Sequence, residues 1–508
     1  MKLDFAITEA DHEAAMHLLF GPEWLRPQDP ELGFLAELYT ATGEGRRTLI
    51  LGEIIKPEPG EVRWSASQGL VMAHSYYSRA IDRLQDVPGA GLLNVHSHPG
   101  PRTGLAPPVP SQQDLTSDRI ELLAASRALP ADRPVAAAIF SAGGGISVRE
   151  YSFKRPVTTR LALRYERMGP NVQFADRVRI VGRRLRFQQG DPNRSAPPRS
   201  FDPVSTDSSI LLWGERGQKL LAEIAIGIAG LGGVGGMVAE YLARLGVGRI
   251  VLVDYDRLKL ENFNRSHGAT RREATNEVPK VQVYSRVVKA AATAPKFQVV
   301  SKRMSVAEES GIRQLLGCDL LIGSADDAFA RQVLDHAAYA HLIPVIDGGT
   351  TLLPQSSSFS TTVGKCQVVS AGPGHPCLEC QGVYTQEEAT VARERASWGK
   401  YLDVCSVPED IKNELRAPSV ICANSLVASL IVLRVLSIAL GITPATTCGL
   451  QRYYIESGEL QWGAIKACKP DCRKPSFTRK GDAHCLATGT DLRWKSIQEE
   501  EKRLRSAE

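Results

Sequence analysis

No cysteine occurs before Cys318, and ten in a chain of 508 residues are too few for a disulfide scaffold. The thiols of the second half are therefore expected to serve metal or thiol chemistry in a cytoplasmic compartment. Charge of one sign is scarce as well: the formal net charge is +5 and spread along the chain, which gives no footing for a dedicated nucleic-acid binder. Met1 to Glu9 lacks the basic-then-apolar layout of a secretion signal, so export is not expected. Long apolar runs are missing except Ser425 to Ile442, which carries Arg434 in its middle and reads as a buried helix rather than a membrane span. There is no internal repeat. With 43% apolar and 23% charged residues, this is an ordinary globular sequence with room for two or three domains.

Phe187 to Ser209 is poor in apolar residues and rich in turn formers, which makes it the expected linker. Before it, β-like runs at Thr48–Leu51 and Ala136–Phe140 surround helix-like segments at Val71–Leu84 and Leu115–Leu129, an α/β mixture. After it, Ile224–Ile228, Arg249–Val253, Asp319–Ile322 and Pro344–Asp347 are continuous apolar runs between helical segments, as a parallel sheet covered on both faces requires. The expected organisation is a first α/β domain over 1–155, a connecting segment over 156–209, a Rossmann-like parallel-sheet domain over 210–472 and a basic, then charged, tail over 473–508.

His96-Ser-His98-Pro99 places two imidazoles one residue apart on an extended segment, where they point the same way and can share one ion. Asp114 can close a three-ligand set, which leaves a fourth position on zinc for water, the catalytic arrangement. Ser111 stands three residues before Asp114, where its hydroxyl can cap a helix or donate to a developing oxyanion. Glu13 is the expected general base, with Glu44 as fallback. This constellation resembles the JAB/MPN metalloproteases with their JAMM motif, which cut ubiquitin-like proteins at peptide or isopeptide bonds. The resemblance implies zinc on His96, His98 and Asp114, an oxyanion-side role for Ser111 and an acid–base role for Glu13. The stretch Pro99 to Pro110 is longer than that family's usual spacer, and is expected to loop out or to cover the cleft.

Ile224–Ile228, then Gly230-Leu-Gly232-Gly233-Val-Gly235, then an apolar helix face and Arg249–Val253 ending in Asp254, form a βαβ nucleotide unit. Taken alone it fits NAD equally well. The sequel, Asp254-Tyr-Asp256 with Asn262, Arg265, Lys280 and Asp326, offers cations for a triphosphate and a hard oxygen for Mg2+, which favours ATP. This pattern resembles the ThiF/MoeB-like superfamily of ubiquitin-like activating enzymes, which adenylate a C-terminal glycine. The resemblance implies Asp254 at the ribose, Asn262, Arg265 and Lys280 at the phosphates, Asp326 at magnesium, and a homodimer. An arginine usual in that family is replaced by Ser205–Ser209, with Arg216 or Arg199 as substitutes, and Ser266 stands where a glutamine is usual.

Cys377-Leu-Glu-Cys380 and Cys468-Lys-Pro-Asp-Cys472 can form a four-cysteine structural zinc site. Cys405 is the candidate nucleophile if the activated carrier passes through a thioester, whereas Cys422, Cys318, Cys366 and Cys448 read as packing. The leading expectation is a bifunctional enzyme that adenylates a ubiquitin-like protein and cleaves it, with a conjugating enzyme as a further partner. The alternatives are activation of a sulfur-carrier protein, a non-catalytic scaffold, or a zinc-containing nucleic-acid binder using Arg473–Lys480.

Overall fold

Short apolar runs in the N-terminal part, most of them buried along their length, fold into one large sheet, seen in a computed structural model that describes residues 1–21, 31–65, 69–98, 105–153, 171–194, 201–352, 364–394, 418–442, 448–464 and 467–507. Two units form, one from Met1–Ala196, Ala340–Leu342 and Phe477–His484, the other from Pro197–Tyr339, Ile343–Ser476 and Cys485–Glu508. The elements of the first unit are β1 (Lys2–Thr8), α1 (Glu9–Phe20), β2 (Gly33–Gly43), β3 (Arg46–Ile55), β4 (Val62–Ser65), β5 (Gly69–Met72), α2 (His74–Gln85), β6 (Gly91–His98), α3 (Gln112–Ala128), β7 (Val135–Ser141), β8 (Ile146–Ser152), β9 (Asn171–Phe174), β10 (Arg177–Val181) and β11 (Leu185–Gln189).

Nine of these strands pair in the order β11-β10-β1-β3-β2-β6-β7-β8-β9, while β4 and β5 form a separate hairpin. β6 lies inside the sheet, antiparallel to β2 and parallel to β7. Its Leu93 and Val95 join the core that Ala15, Met16, Leu19 and Phe20 of α1 complete. Because successive strand residues alternate faces, His96 and His98 point to the face opposite α1.

In the second unit, β12 (Ala225–Ala229), β13 (Arg249–Val253), β14 (Gln298–Lys302), β15 (Leu320–Gly323), β16 (Val345–Leu352), β17 (Gly364–Ala371), β18 (Cys448–Tyr454) and β19 (Glu459–Ala464) form an eight-stranded sheet. The order is β14-β13-β12-β15-β16-β17-β18-β19, parallel through β16 and antiparallel beyond it. The first five strands carry the doubly wound order, so the chain leaves β12 toward β13 on one side and later returns to β15 on the other. The strand order reverses at this switch, and in open α/β sheets ligands bind beyond the carboxyl end of the strands at such a point.

The Ile421–Leu440 helix is long and apolar enough by length and composition to cross a membrane, and 61% of its apolar window is buried within the protein. Arg434 is buried on it, donating to Gly449 O at 3.3 Å and Gln451 Oε1 at 2.7 Å. This is the satisfied charge of a core helix.

Three expectations need correction. The helix expected from Val71 begins at His74, because Gly69–Met72 pairs with Val62–Ser65 as a hairpin. The expected linker starts too early, since Leu185–Gln189 is the edge strand beside β10, and a helix already runs from Asp207. The basic tail is folded, with helices at Lys474–Phe477 and Leu492–Ala507. Three of its cations are engaged within the protein: Lys474 is buried beside Asp335, Glu379 and Tyr384, Arg479 pairs with Asp11, and Lys480 with Glu37 and Tyr39, while Arg473 is exposed. Those three cations are not presented to nucleic acid.

Candidate functional site

In the first unit, β6 and the start of α3 converge. Ser111 is the N-cap of α3: its Oγ accepts from Asp114 N at 3.1 Å, while its own N–H donates to Asp114 Oδ2 at 2.6 Å. This capping box satisfies two orphan helix amides and fixes the Asp114 carboxylate. His96 Nε2 lies 3.3 Å from Asp114 Oδ1, and His98 Nε2 lies 3.1 Å from Asp114 Oδ2. One ligand atom from each of the three residues lies within 4.8 Å of the others. Burial pushes the Asp114 carboxyl up, but His96 and His98 beside it more than offset this and hold it well below the usual carboxylate range.

His96 Nε2 is buried and makes no hydrogen bond. An unpartnered buried nitrogen 3.3 Å from a carboxylate oxygen fits a small divalent cation shared by the two. A cavity of about 200 Å³ opens on the cluster, lined among others by Glu31, Trp64, Met72, Tyr77 and Glu121. Behind it, Asp118 accepts from Arg149 Nε at 2.8 Å and Tyr151 Oη at 3.0 Å, and Glu121 accepts from Asn94 Nδ2 at 2.9 Å and from Tyr77.

Glu13 is not among the residues lining this cavity. It is exposed on α1, which covers the opposite face of the sheet from the histidines. Glu44 sits in the β2–β3 turn and does not line the cavity either. Glu31 does, because Gly33 of β2 is in register with His96 and carries the preceding residues toward His98. That register was the available signal: an acid just ahead of an apolar strand. Of the Pro99–Pro110 insert, 105–110 are described and do not line the cavity. Ala106 instead lies against Gly145 in the β7–β8 turn.

In the second unit the glycine turn closes on itself. Gly230 adopts φ +90°, and a Cβ there would press on the Ser324–Ala325 backbone at 2.8–2.9 Å; a Cβ on Gly235 would meet Gly230 O at 2.0 Å. Only glycine fits either place. Gly232 is the N-cap of the Gly233–Arg244 helix and faces open space, so an anion can approach the amides of the first turn. Asp254 braces the turn, accepting from Leu231 N at 2.6 Å and Asp256 N at 2.7 Å.

Lys280 Nζ donates to Asp256 Oδ2 at 2.7 Å. Burial would lower the Lys280 ammonium, but Asp254, Asp256 and Asp326 together raise it, so all four groups share one electrostatic site. Asn262 and Arg265 are held within their own turn: Asn262 Oδ1 accepts from Lys259 N at 3.3 Å, and Arg265 Nη1 donates to Glu261 O at 2.7 Å. The turn itself abuts the glycine loop, with Arg265 O 3.2 Å from a Cβ built on Gly233. Buried Asn424, from the Ile421–Leu440 helix, lies against the same side of Gly233, its Nδ2 2.2 Å from that built Cβ; no sequence pattern singled it out. Ser266 donates to Asn262 O at 2.9 Å, a local role. Arg216 is exposed, and Arg199 lies outside the described residues.

The sulfurs of Cys377, Cys380, Cys468 and Cys472 lie within 4.8 Å of one another. Backbone amides point at them: Cys377 N to Cys468 Sγ at 3.2 Å, Cys380 N to Cys377 Sγ at 3.3 Å and Lys469 N to Cys380 Sγ at 3.4 Å. Hydrogen bonding from Cys377 draws the Cys468 thiol down to about 5. The donor set fits a closed tetrahedral zinc site, and the three-residue gap in the second pair does not keep it apart. Cys318 and Cys366 are buried, as packing requires. Cys422 is not: it is exposed in the first turn of the Ile421–Leu440 helix. Cys405 lies outside the described residues.

The ThiF family model matches residues 206–474, more than half of the chain. The molybdopterin-synthase adenylyltransferase of Escherichia coli (strain K12) is 27% identical over 168 residues, 32% of this chain and 61% of that protein. The adenylyltransferase and sulfurtransferase MOCS3 of Danio rerio is 26% identical over 33% of each chain. The chain thus spans less than two thirds of the length of these relatives. Among solved structures, E. coli MccB with ATP is 16% identical, covering 54% of this chain and 75% of that one at a TM-score of 0.41.

Proposed function

Since the chain belongs to the ThiF family, we propose that its second unit adenylates the C-terminal glycine of a ubiquitin-like or sulfur-carrier protein with ATP. The observation that carries this is the glycine turn at the β12 switch point, braced by Asp254 and flanked by Lys280, Asp256 and Asp326. The turn's amides receive phosphate oxygens, Asp254 the ribose, and Lys280 exchanges Asp256 for a phosphate. Asn262 and Arg265 reach the phosphates after leaving their local bonds. A carboxylate oxygen of the carrier attacks the α-phosphorus; the acyl phosphate bond forms and pyrophosphate leaves with the electron pair. Asp326 would hold magnesium, which would supply positive charge beside the leaving phosphates. The residues' share is positioning and charge neutralisation.

The acyl adenylate then has two routes, a thioester or a thiocarboxylate. Cys422 is an exposed thiol in the first turn of a 20-residue helix, where an activated carrier terminus can reach it. That makes Cys422 the acceptor among the described thiols; Cys405 is the competing assignment. Homodimerisation, a cytoplasmic location and transfer to a conjugating enzyme belong to the same reading.

For the first unit we propose a JAB/MPN-type zinc peptidase acting on bonds made by the same carrier terminus. His96, His98 and Asp114 would hold zinc, which supplies a Lewis acid for water and the scissile carbonyl. Glu31 takes the proton of the attacking water and passes it to the leaving amine, and Ser111 donates to the oxyanion. The four cysteines would hold a second, structural zinc. The test is pyrophosphate–ATP exchange with small proteins ending in Gly-Gly. Exchange should require the carrier and fall at least about 100-fold in Asp326→Ala; undiminished exchange removes the magnesium assignment.

A further inference from the structure

The segment that carries the nucleotide-site acids, Asp254 to Arg257, is held from two sides. On the inner side, Asp254 accepts from Leu231 and Asp256 pairs with Lys280. On the outer side, Tyr255 stacks on Trp494 of the Leu492–Ala507 helix, with ring centroids 5.8 Å apart. The Tyr255 carbonyl accepts from Arg303 Nε at 2.9 Å, and that guanidinium lies over the Trp494 ring at 5.2 Å. One carboxylate then closes the clamp: Glu501 Oε1 accepts from Arg257 Nε at 2.9 Å, and Glu501 Oε2 from Arg303 Nη1 at 2.9 Å. The helix is anchored at its start, where Asp491 accepts from Ser305 in a buried contact.

We propose that Trp494 and Glu501 are positioning residues for the nucleotide site. They hold the alternating Asp254-Tyr255-Asp256-Arg257 segment so that Asp254 faces the glycine turn and Asp256 faces Lys280, while Tyr255 and Arg257 are gripped from behind. The proposal rests on the reading of this site as an ATP site. A charge-assisted network made by both arginines on one carboxylate resists rotation of the segment more than stacking alone would. Without it the segment can turn, and Asp254 loses its aim at the ribose before any atom touching ATP has changed.

The experiment is calorimetric binding of Mg–ATP to the full chain, with thermal unfolding recorded in parallel. Trp494→Ala and Glu501→Ala should each weaken ATP binding roughly ten-fold, and Trp494→Phe, which keeps a stacked ring, should bind within about two-fold of the parent. Unchanged ATP affinity in both alanine variants, with only a lowered melting temperature, would make the clamp merely structural and overturn the proposal. If Trp494→Ala fails to fold, Glu501→Ala decides, since that side chain is partly exposed. A parent chain that binds no ATP overturns the adenylation reading and this inference with it. A parent that binds while the variants match it overturns this inference alone.

Discussion

In the first unit three side chains from one strand end and one helix cap meet around an unpartnered nitrogen, whereas in the second unit bare backbone amides open the helix and the nearby lysine is already paired with one of the acids around it. The difference follows from what each site is built to receive. On the proposed reading, a metal ion needs fixed lone pairs at short distance, so its ligands sit on rigid elements and the His96 nitrogen is left without a hydrogen bond. A triphosphate, the ligand proposed for the second unit, is large and carries several charges, so such a site would offer backbone amides and would keep its lysine paired until the ligand displaced the partner. Substitutions of the three clustered side chains should therefore be decisive in the first unit, and in the second both the charged side chains and the glycine turn with its bracing residues should matter.

The largest expected effect is that of His98→Ala. It should abolish metal binding at the β6–α3 cluster, lowering metal content by one ion per chain, and reduce peptidase activity by at least about 1,000-fold while ATP binding is unchanged. Retained metal and cleavage would break the contrast. Next comes Glu31→Gln, expected to slow cleavage about 100- to 1,000-fold at unchanged metal content. Glu13→Gln should leave the rate within about two-fold, and a comparable loss in both variants would return the acid–base assignment to α1.

A pH effect separates the first unit from the second. Burial, assisted by nearby Arg186, lowers the His12 imidazole from 6.5 to about 4. Between those values the unfolded chain takes up a proton that the folded one refuses. The contribution is complete above about pH 6.5 and is lost as pH falls toward 4, amounting to about 3 kcal/mol. Urea midpoints measured between pH 4 and 7.5 should show this slope, and His12→Phe should flatten it; an unchanged slope would mean other groups carry the acid sensitivity. The smallest effect is the cap of α3, where Ser111→Ala should cost about 1 kcal/mol of stability. If cleavage falls no further than that loss explains, the hydroxyl is a cap alone.

The parts of the two sites legible in the sequence are those with short-range rules. Strand alternation fixes His96 and His98 on one face, Ser-x-x-Asp is a helix cap and a ligand at once, and glycine spacing announces the turn after β12. What escaped depends on long-range pairing. Glu31 reaches the cavity through the register of Gly33 with His96. Glu13 misses it because α1 turns Ala15, Met16 and Leu19 to the sheet and leaves Glu13 outside. Asn424, Trp494 and Glu501 meet the glycine turn or its bracing segment only after the chain has crossed the sheet, and no local pattern marks them. The antiparallel strands β17–β19 escaped too, because continuous apolar runs signal only the doubly covered part of the sheet.

The central claim is that this chain activates a protein carboxylate with ATP, and mass spectrometry of the carrier tests it most directly. Incubated with Mg–ATP and a carrier ending in Gly-Gly, the protein should yield a carrier heavier by one AMP group, with pyrophosphate released in equal amount. This should vanish in Gly235→Val, where the side chain would strike Gly230 O. A carrier that never gains AMP, or one that gains it equally with the Gly235→Val chain, would contradict the account.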